Sequence, residues 1–177
     1  MGFRCRWIAT RGRDKAEVLA RLKLVVTGEI EDEIYDTGLY AFDIAQWFVV
    51  FGDGWDHMDL VSRRDAARLS NKGEVLYLYT DDTPMCAELT SFVDGRVKWS
   101  IIYDGGNGPS RPTLEGPIPS EAKRLLAAAE KAQKGEREVD HVYDVIAELG
   151  HALVGFRHDQ TPGAAKHLPV YELRAPS

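Results

Sequence analysis

Met85-Cys86-Ala87-Glu88-Leu89-Thr90-Ser91-Phe92-Val93-Asp94-Gly95-Arg96-Val97-Lys98-Trp99-Ser100-Ile101-Ile102-Tyr103 is the stretch that decides the fold class. Two runs rich in β-branched and aromatic residues flank Asp94-Gly95, a dipeptide suited to a two-residue type I′ turn. The expected element is an antiparallel hairpin. With Val93 opposite Arg96, simple alternation puts Phe92 against Val97, Thr90 against Trp99, Glu88 against Ile101 and Cys86 against Tyr103. That face is largely apolar, so Trp99 is expected to be buried.

Upstream of the hairpin, Glu74 to Thr80 reads as a strand, and Asp81-Asp82-Thr83-Pro84 as the turn that joins it. Gln46 to Phe51 is apolar on both faces, the mark of a strand inside a sheet covered on both sides. Phe3 to Thr10 is a further strand. Asp14 with Glu17 and Ser62 with Asp65 have capping-box spacing, predicting helices over about 15–22 and from 63 to near Asn71. The acidic run from Gly28 to Asp43 has no clean period and reads as loop with one brief strand.

Downstream, residues 104–119 hold four glycines and four prolines, which predicts a surface loop. An alanine-rich helix from Ser120 to about Lys134 follows. A shorter helix from about Val145 to Val154 has Asp144 as its expected cap and Gly155 as its stop. Leu125, Leu126, Leu149 and Leu153 are its and its neighbour's expected core residues, and Val170 to Leu173 suggests a closing strand. Strands that follow one another as antiparallel neighbours indicate an α+β chain with a largely antiparallel sheet and helices packed mainly on one face. All 177 residues are expected to form a single domain, with 104–119 as an internal loop.

Composition narrows the function. With 44% hydrophobic and 28% charged residues the chain is of globular type. Two cysteines, Cys5 and Cys86, both in strand-like runs, are too few for a disulfide framework and point to a cytoplasmic setting. No targeting segment is visible, and the apolar run Trp47 to Phe51 is far short of the ~20 residues of a membrane span, so no membrane partner is expected. A net charge of -6 argues against nucleic acid.

The charge is also segregated. Arg4 to Lys23 carries seven Lys or Arg against two acids, whereas Leu24 to Ser62 carries nine acids and no Lys or Arg. Either the basic segment neutralises the acidic span in the fold, or the span is a surface for a basic protein partner. Under the second reading, Glu29, Glu31, Asp32, Glu33 and Asp36 are the expected binding residues.

Motifs for nucleotide, nucleophile and zinc chemistry are missing from the sequence, and no cofactor is expected. The densest acid–histidine cluster is Asp53, Asp56, His57 and Asp59. Carboxylates with imidazole can hold a divalent metal or act as a general base, so a small metal-dependent hydrolase is the alternative reading. Asp140-His141 and His158-Asp159 read as surface pairs, with Arg157 and His158 bonding carbonyls at a helix end. Glu88, a candidate buried carboxylate, falls on the apolar face of the hairpin. It must meet a cation, carry a raised pKa, or stand on an edge strand as a guard against aggregation, which is the simplest account.

Three segments carry a resemblance: Cys5-Arg6-Trp7-Ile8-Ala9, Asp94-Gly95-Arg96-Val97-Lys98-Trp99-Ser100 and Gly155-Phe156-Arg157-His158-Asp159. Together they resemble a group of small bacterial proteins that have no assigned activity. The likeness covers most of the chain, and because its motifs are a strand, a turn and a helix stop, it implies no catalytic residue. In type rather than in motif, a small acidic α+β chain is similar to immunity proteins that neutralise bacterial toxins. The expected function is therefore a non-enzymatic protein-binding module, an immunity-type inhibitor of a basic toxin.

Overall fold

The alternation of strand side chains sorts the apolar residues into two sets, and the fold buries both. In the computed structural model, which describes residues 2–31, 37–106, 111–135, 139–160 and 168–176, nine strands form one sheet. In chain order they are β1 (Arg4–Thr10), β2 (Val25–Glu31), β3 (Gly38–Ile44), β4 (Trp47–Asp53), β5 (Val75–Asp81), β6 (Cys86–Val93), β7 (Arg96–Asp104), β8 (Thr113–Glu115) and β9 (Val170–Arg174). Their spatial order is β2-β9-β3-β4-β1-β5-β6-β7-β8, and the neighbouring pairs run antiparallel. The α+β class and the antiparallel sheet expected from the sequence are both present.

The helices are α1 (Lys15–Leu22), α2 (Trp55–Met58), α3 (Arg63–Leu69), α4 (Ser120–Gln133) and α5 (His141–Val154). The two long helices cover one face, burying Leu125, Ile146 and Leu149 against Trp7, Phe51, Leu78, Leu89 and Ile101. The short helices α1 and α3 bring Val18, Leu22, Ala66 and Leu69 to the other face, against Ile8, Val50, Tyr77 and Phe92. Both faces are thus covered, which explains why Trp47 to Phe51 is apolar on both sides. Leu149 is fully buried, whereas Leu126 and Leu153 sit at the margin of that core.

Local signals set several boundaries. Asp14 Oδ1 accepts from Glu17 N at 2.9 Å, and Ser62 Oγ accepts from Asp65 N at 3.2 Å, so both capping residues start their helices as expected. Two expectations are corrected by the fold. The acidic run from 28 to 43 contributes parts of two strands, β2 and β3, because β9 returns from the far end of the chain to pair with both. Residues 113–115 of the expected loop at 104–119 form β8, a short edge strand on β7.

The hairpin forms, with Asp94 at φ 50° and Gly95 at φ 75°, as the type I′ turn requires. Its register departs from simple alternation. Phe92 opposes Val97 as expected, but a bulge follows, so that Ser91 opposes Trp99, Thr90 opposes Ser100 and Leu89 opposes Ile101. One extra residue in β7 turns Trp99 away from Phe92 to the face under α4 and α5, where it is buried. Replacing Gly95 by valine forces a β-branched residue to positive φ. It is expected to cost about 1–3 kcal/mol in thermal or urea unfolding.

Glu88 is likewise corrected. Because β6 lies between β5 and β7, the glutamate is not on an edge strand. Its side chain is 15% exposed, and it receives Arg63 Nε at 2.7 Å and Thr90 Oγ1 at 2.6 Å. A cation from α3 meets the carboxylate, which is what a buried charge requires.

Candidate functional site

The acidic span divides on inspection. Glu29 and Glu31 lie in β2 by their backbone, but their side chains, with Asp32, Glu33 and Asp36, fall outside the described residues. Elsewhere in the span the basic segment supplies counter-ions. Lys15 pairs with Asp43, and Arg6 Nη1 reaches Asp59 Oδ1 at 3.1 Å while also donating to the Met58 carbonyl at 3.0 Å. The internal neutralisation that competes with a binding surface is therefore real at Asp43 and Asp59.

The Asp53, Asp56, His57, Asp59 cluster lies around α2. Asp53 Oδ1 accepts from Gly54 N at 2.9 Å, His57 Nδ1 lies 3.2 Å from the Asp53 carbonyl oxygen, and Asp59 is held by Arg6. Each of these contacts stabilises the turn after β4. Among the described residues no group of three or more His, Cys, Asp or Glu side chains is arranged to hold a metal ion.

A different constellation stands out at the end of the sheet where β1 begins and β5 finishes. A cavity of about 310 Å³ opens between β5, the turn after it and α5, with Leu78, Ala87 and Ile146 among its apolar walls. Polar groups converge on it from three segments. From the turn after β5, Asp82 accepts from Phe3 N through Oδ2 at 2.7 Å and from the Tyr143 hydroxyl through Oδ1 at 2.6 Å. Tyr143 has one proton and gives it to Asp82, so Thr80 Oγ1, 2.6 Å away, must donate to Tyr143. This chain is fully satisfied, and burial with the Asp82 hydrogen bond pushes the phenol well above its ordinary pKa. Tyr143 is consequently a fixed neutral wall rather than a base.

Asp144 and His158 differ from that chain. The helix begins at His141, with Asp140 Oδ1 accepting from Val142 N and Tyr143 N at 3.1 Å each. Asp144 is therefore not the cap expected from the sequence. It lies in the first turn of α5, lines the cavity, and burial raises its carboxyl pKa above the ordinary 3.8, opposed by Arg157 and reinforced by Glu148. No hydrogen bond or ion pair engages it among the described residues. His158 packs edge-on against Phe3 with ring centroids 5.3 Å apart, and its buried Nδ1 has no hydrogen-bond partner among the described residues. Burial lowers its pKa below 6.5, so the imidazole is neutral at physiological pH.

Arg157 Nε is 2.8 Å from Asp159 Oδ1 and its Nη1 is 3.9 Å from Glu148 Oε1. The expectation that Arg157 and His158 merely bond the carbonyls of the helix end is replaced by an ion pair and a cavity wall. Asp82, Asp144 and Asp159 set three carboxyl groups around the opening against one guanidinium. Cys5 is buried behind the site, and burial with nearby Asp53 and Asp82 raises its thiol pKa, so it is not a nucleophile.

The Asp144 shift has a stability consequence. A folded-state pKa above the unfolded one contributes stability that is complete below 3.8 and lost as pH rises through the raised value. At neutral pH the desolvated carboxylate is a burden on the fold. Asp144→Asn is expected to raise the neutral-pH melting temperature and to flatten its dependence in the acid range, as read by calorimetry. His158 acts in the opposite sense, since a lowered pKa supplies stability above 6.5 that is lost as pH falls toward the lowered value.

Sequence reasoning passed over this site because its members stand far apart in the chain. The available signal was the carboxylate pair Asp81-Asp82 in a turn together with Arg157-His158-Asp159 after a helix stop. Comparison with protein-family models, with curated proteins and with solved structures yields no match.

Proposed function

We propose that the protein is a non-enzymatic binding module for a basic partner protein, and that the cavity between β5 and α5 receives a cationic side chain from it. One observation carries this reading. Asp144 and His158 line the same apolar-walled cavity, and no hydrogen bond or ion pair engages the Asp144 carboxylate among the described residues. A partly desolvated carboxylate without a counter-ion costs stability, and a cation that pairs with it recovers that cost. A lysine ammonium suits it because it has three donors and no acceptor. Its donors meet the Asp144 carboxylate. The aliphatic stem then lies along Leu78, Ala87 and Ile146.

The excess of carboxylates favours a cation and disfavours an anion at the mouth of the cavity. An immunity-type inhibitor of a basic toxin, acting in the cytoplasm, is the form of this function that the sequence type suggests. Among the described residues no helix is long and apolar enough to cross a membrane. The hydrolase alternative gains no support around α2, where Asp53 and His57 bond the local backbone, Asp59 pairs with Arg6, and no metal-binding group is assembled among the described residues.

Copurification from the native host followed by mass spectrometry tests the proposal. Recovery of a basic protein by the wild type, lost at high salt, is the expected result. Recovery of no protein, or of acidic partners only, contradicts it.

A further inference from the structure

The cavity between β5 and α5 is walled by three rings as well as by carboxyl groups: Phe3, Tyr143 and His158. Phe3 and His158 stand nearly perpendicular, at 77° with centroids 5.3 Å apart, so they form a corner rather than a stack. The rings are held by the fold itself. Phe3 is fixed through its backbone, its N–H on Asp82 Oδ2 at 2.7 Å and its carbonyl oxygen accepting from Asp82 N at 2.9 Å. The Tyr143 hydroxyl is fixed between the same Asp82 and Thr80, and its ring lies 6.0 Å from that of Tyr103. Walls ordered in advance cost a ligand little entropy to organise.

Donor and acceptor numbers decide which cation suits these walls. Of the three carboxyl groups at the cavity, Asp82 already receives two donors and Asp159 receives Arg157 Nε. Asp144 receives none among the described residues. Arg157 is balanced by Asp159 and Glu148, and the neutral His158 ring does not repel a cation. A primary ammonium brings three N–H donors, and any that turn from Asp144 toward rings and aliphatic walls lose their hydration without a partner. Methylation keeps the positive charge and replaces donors by methyl groups. A dimethylammonium retains one N–H for Asp144, and its methyl groups meet aromatic rings and the side chains of Leu78, Ala87 and Ile146. We propose that the cavity selects a methylated ammonium, a dimethyllysine side chain of the basic partner, held by Asp144 and the rings of Phe3, Tyr143 and His158. This rests on the cation-receiving reading of the same cavity and adds to it the form of the cation.

The test compares three probes on the full chain, each followed through the nuclear magnetic resonance signals of the His158 imidazole. They are Nα-acetyl-lysine methylamide, its Nε,Nε-dimethyl form, and the uncharged isostere in which isopropyl replaces dimethylammonium. The dimethyl form is expected to bind at least about tenfold more tightly than either of the others. Phe3 is 38% exposed, so Phe3→Leu should keep the fold while removing one ring. That variant should lose most of the preference for the dimethyl form and leave affinity for the unmethylated probe nearly unchanged. Equal binding of the methylated and unmethylated probes overturns the methyl selectivity while the cation-receiving cavity stands. Full retention of the preference in Phe3→Leu overturns the ring contribution in the same way. No shift with any probe, or equal binding of the uncharged isostere, overturns both readings.

Discussion

Phe156→Ala should lower the unfolding free energy by about 3–5 kcal/mol, the range for truncating a fully enclosed phenylalanine. Phe156 is 2% exposed and sits edge-on to three rings, with centroid distances of 4.9 Å to Phe42, 5.4 Å to Phe51 and 6.5 Å to Trp7. Those rings come from β3, β4 and β1, so one side chain ties the end of α5 to three adjacent strands. Gly155, at φ 87°, terminates the helix in the left-handed conformation that turns Phe156 inward. Domains of this size have about 5–15 kcal/mol to lose, so the variant should approach the limit of folding at 37 °C. Urea titration should show a lower midpoint with an unchanged slope. A loss of less than about 1 kcal/mol would mean that the aromatic cluster is not the packing centre described here. Since Phe156 immediately precedes Arg157 and His158, the conservative Phe156→Leu should retain most stability yet loosen the ligand cavity.

How legible these features were in the sequence depended on the range of the interaction. Asp14, Ser62 and Asp94-Gly95 act on neighbours three residues away or fewer, and their helices and hairpin lie where the local pattern places them. The hydrophobic run at Trp47 to Phe51 correctly signalled an interior strand, because full burial leaves a compositional trace. The bulge opposite Ser91 left none. A single extra residue in β7 moved Trp99 to the other face, and no turn rule foretells it. β3 was hidden in the acidic run because its pairing partners, β4 and β9, include a strand from the far end of the chain. The ligand cavity was hidden for the same reason. Placing the cap of α5 at Asp144 instead of Asp140 assigned that carboxylate a local task and so concealed its place on the cavity wall.

Asp144→Lys should abolish capture of the basic partner. The substitution puts a cation where the account requires a carboxylate, converting attraction into repulsion inside a desolvated wall. Truncating one member of a buried charge pair costs about 2–5 kcal/mol in binding, roughly 30-fold to several thousandfold in Kd, and reversal should cost no less. The new lysine can extend from the first turn of α5 toward solvent, so the fold should persist with an unchanged far-ultraviolet spectrum. Asp144→Asn should weaken capture less than Asp144→Lys while stabilising the free protein, a pairing of effects that a purely structural role for Asp144 does not produce. Retention of wild-type affinity by Asp144→Lys would place the interface elsewhere, the side chains of Glu29 and Glu31 in β2 being the first alternative.

The most direct measurement is a titration of the full chain with Nα-acetyl-lysine methylamide, followed through the nuclear magnetic resonance signals of the His158 imidazole and the Asp144 carboxyl. Saturable shifts are expected at both groups, with tighter binding at neutral pH than in acid, where protonation of Asp144 removes the carboxylate that receives the ammonium. The uncharged norleucine analogue, with the same stem and no ammonium, should bind far more weakly. Equal binding of the two analogues, or no shift at either residue, would contradict a cation-receiving cavity at the junction of β5 and α5.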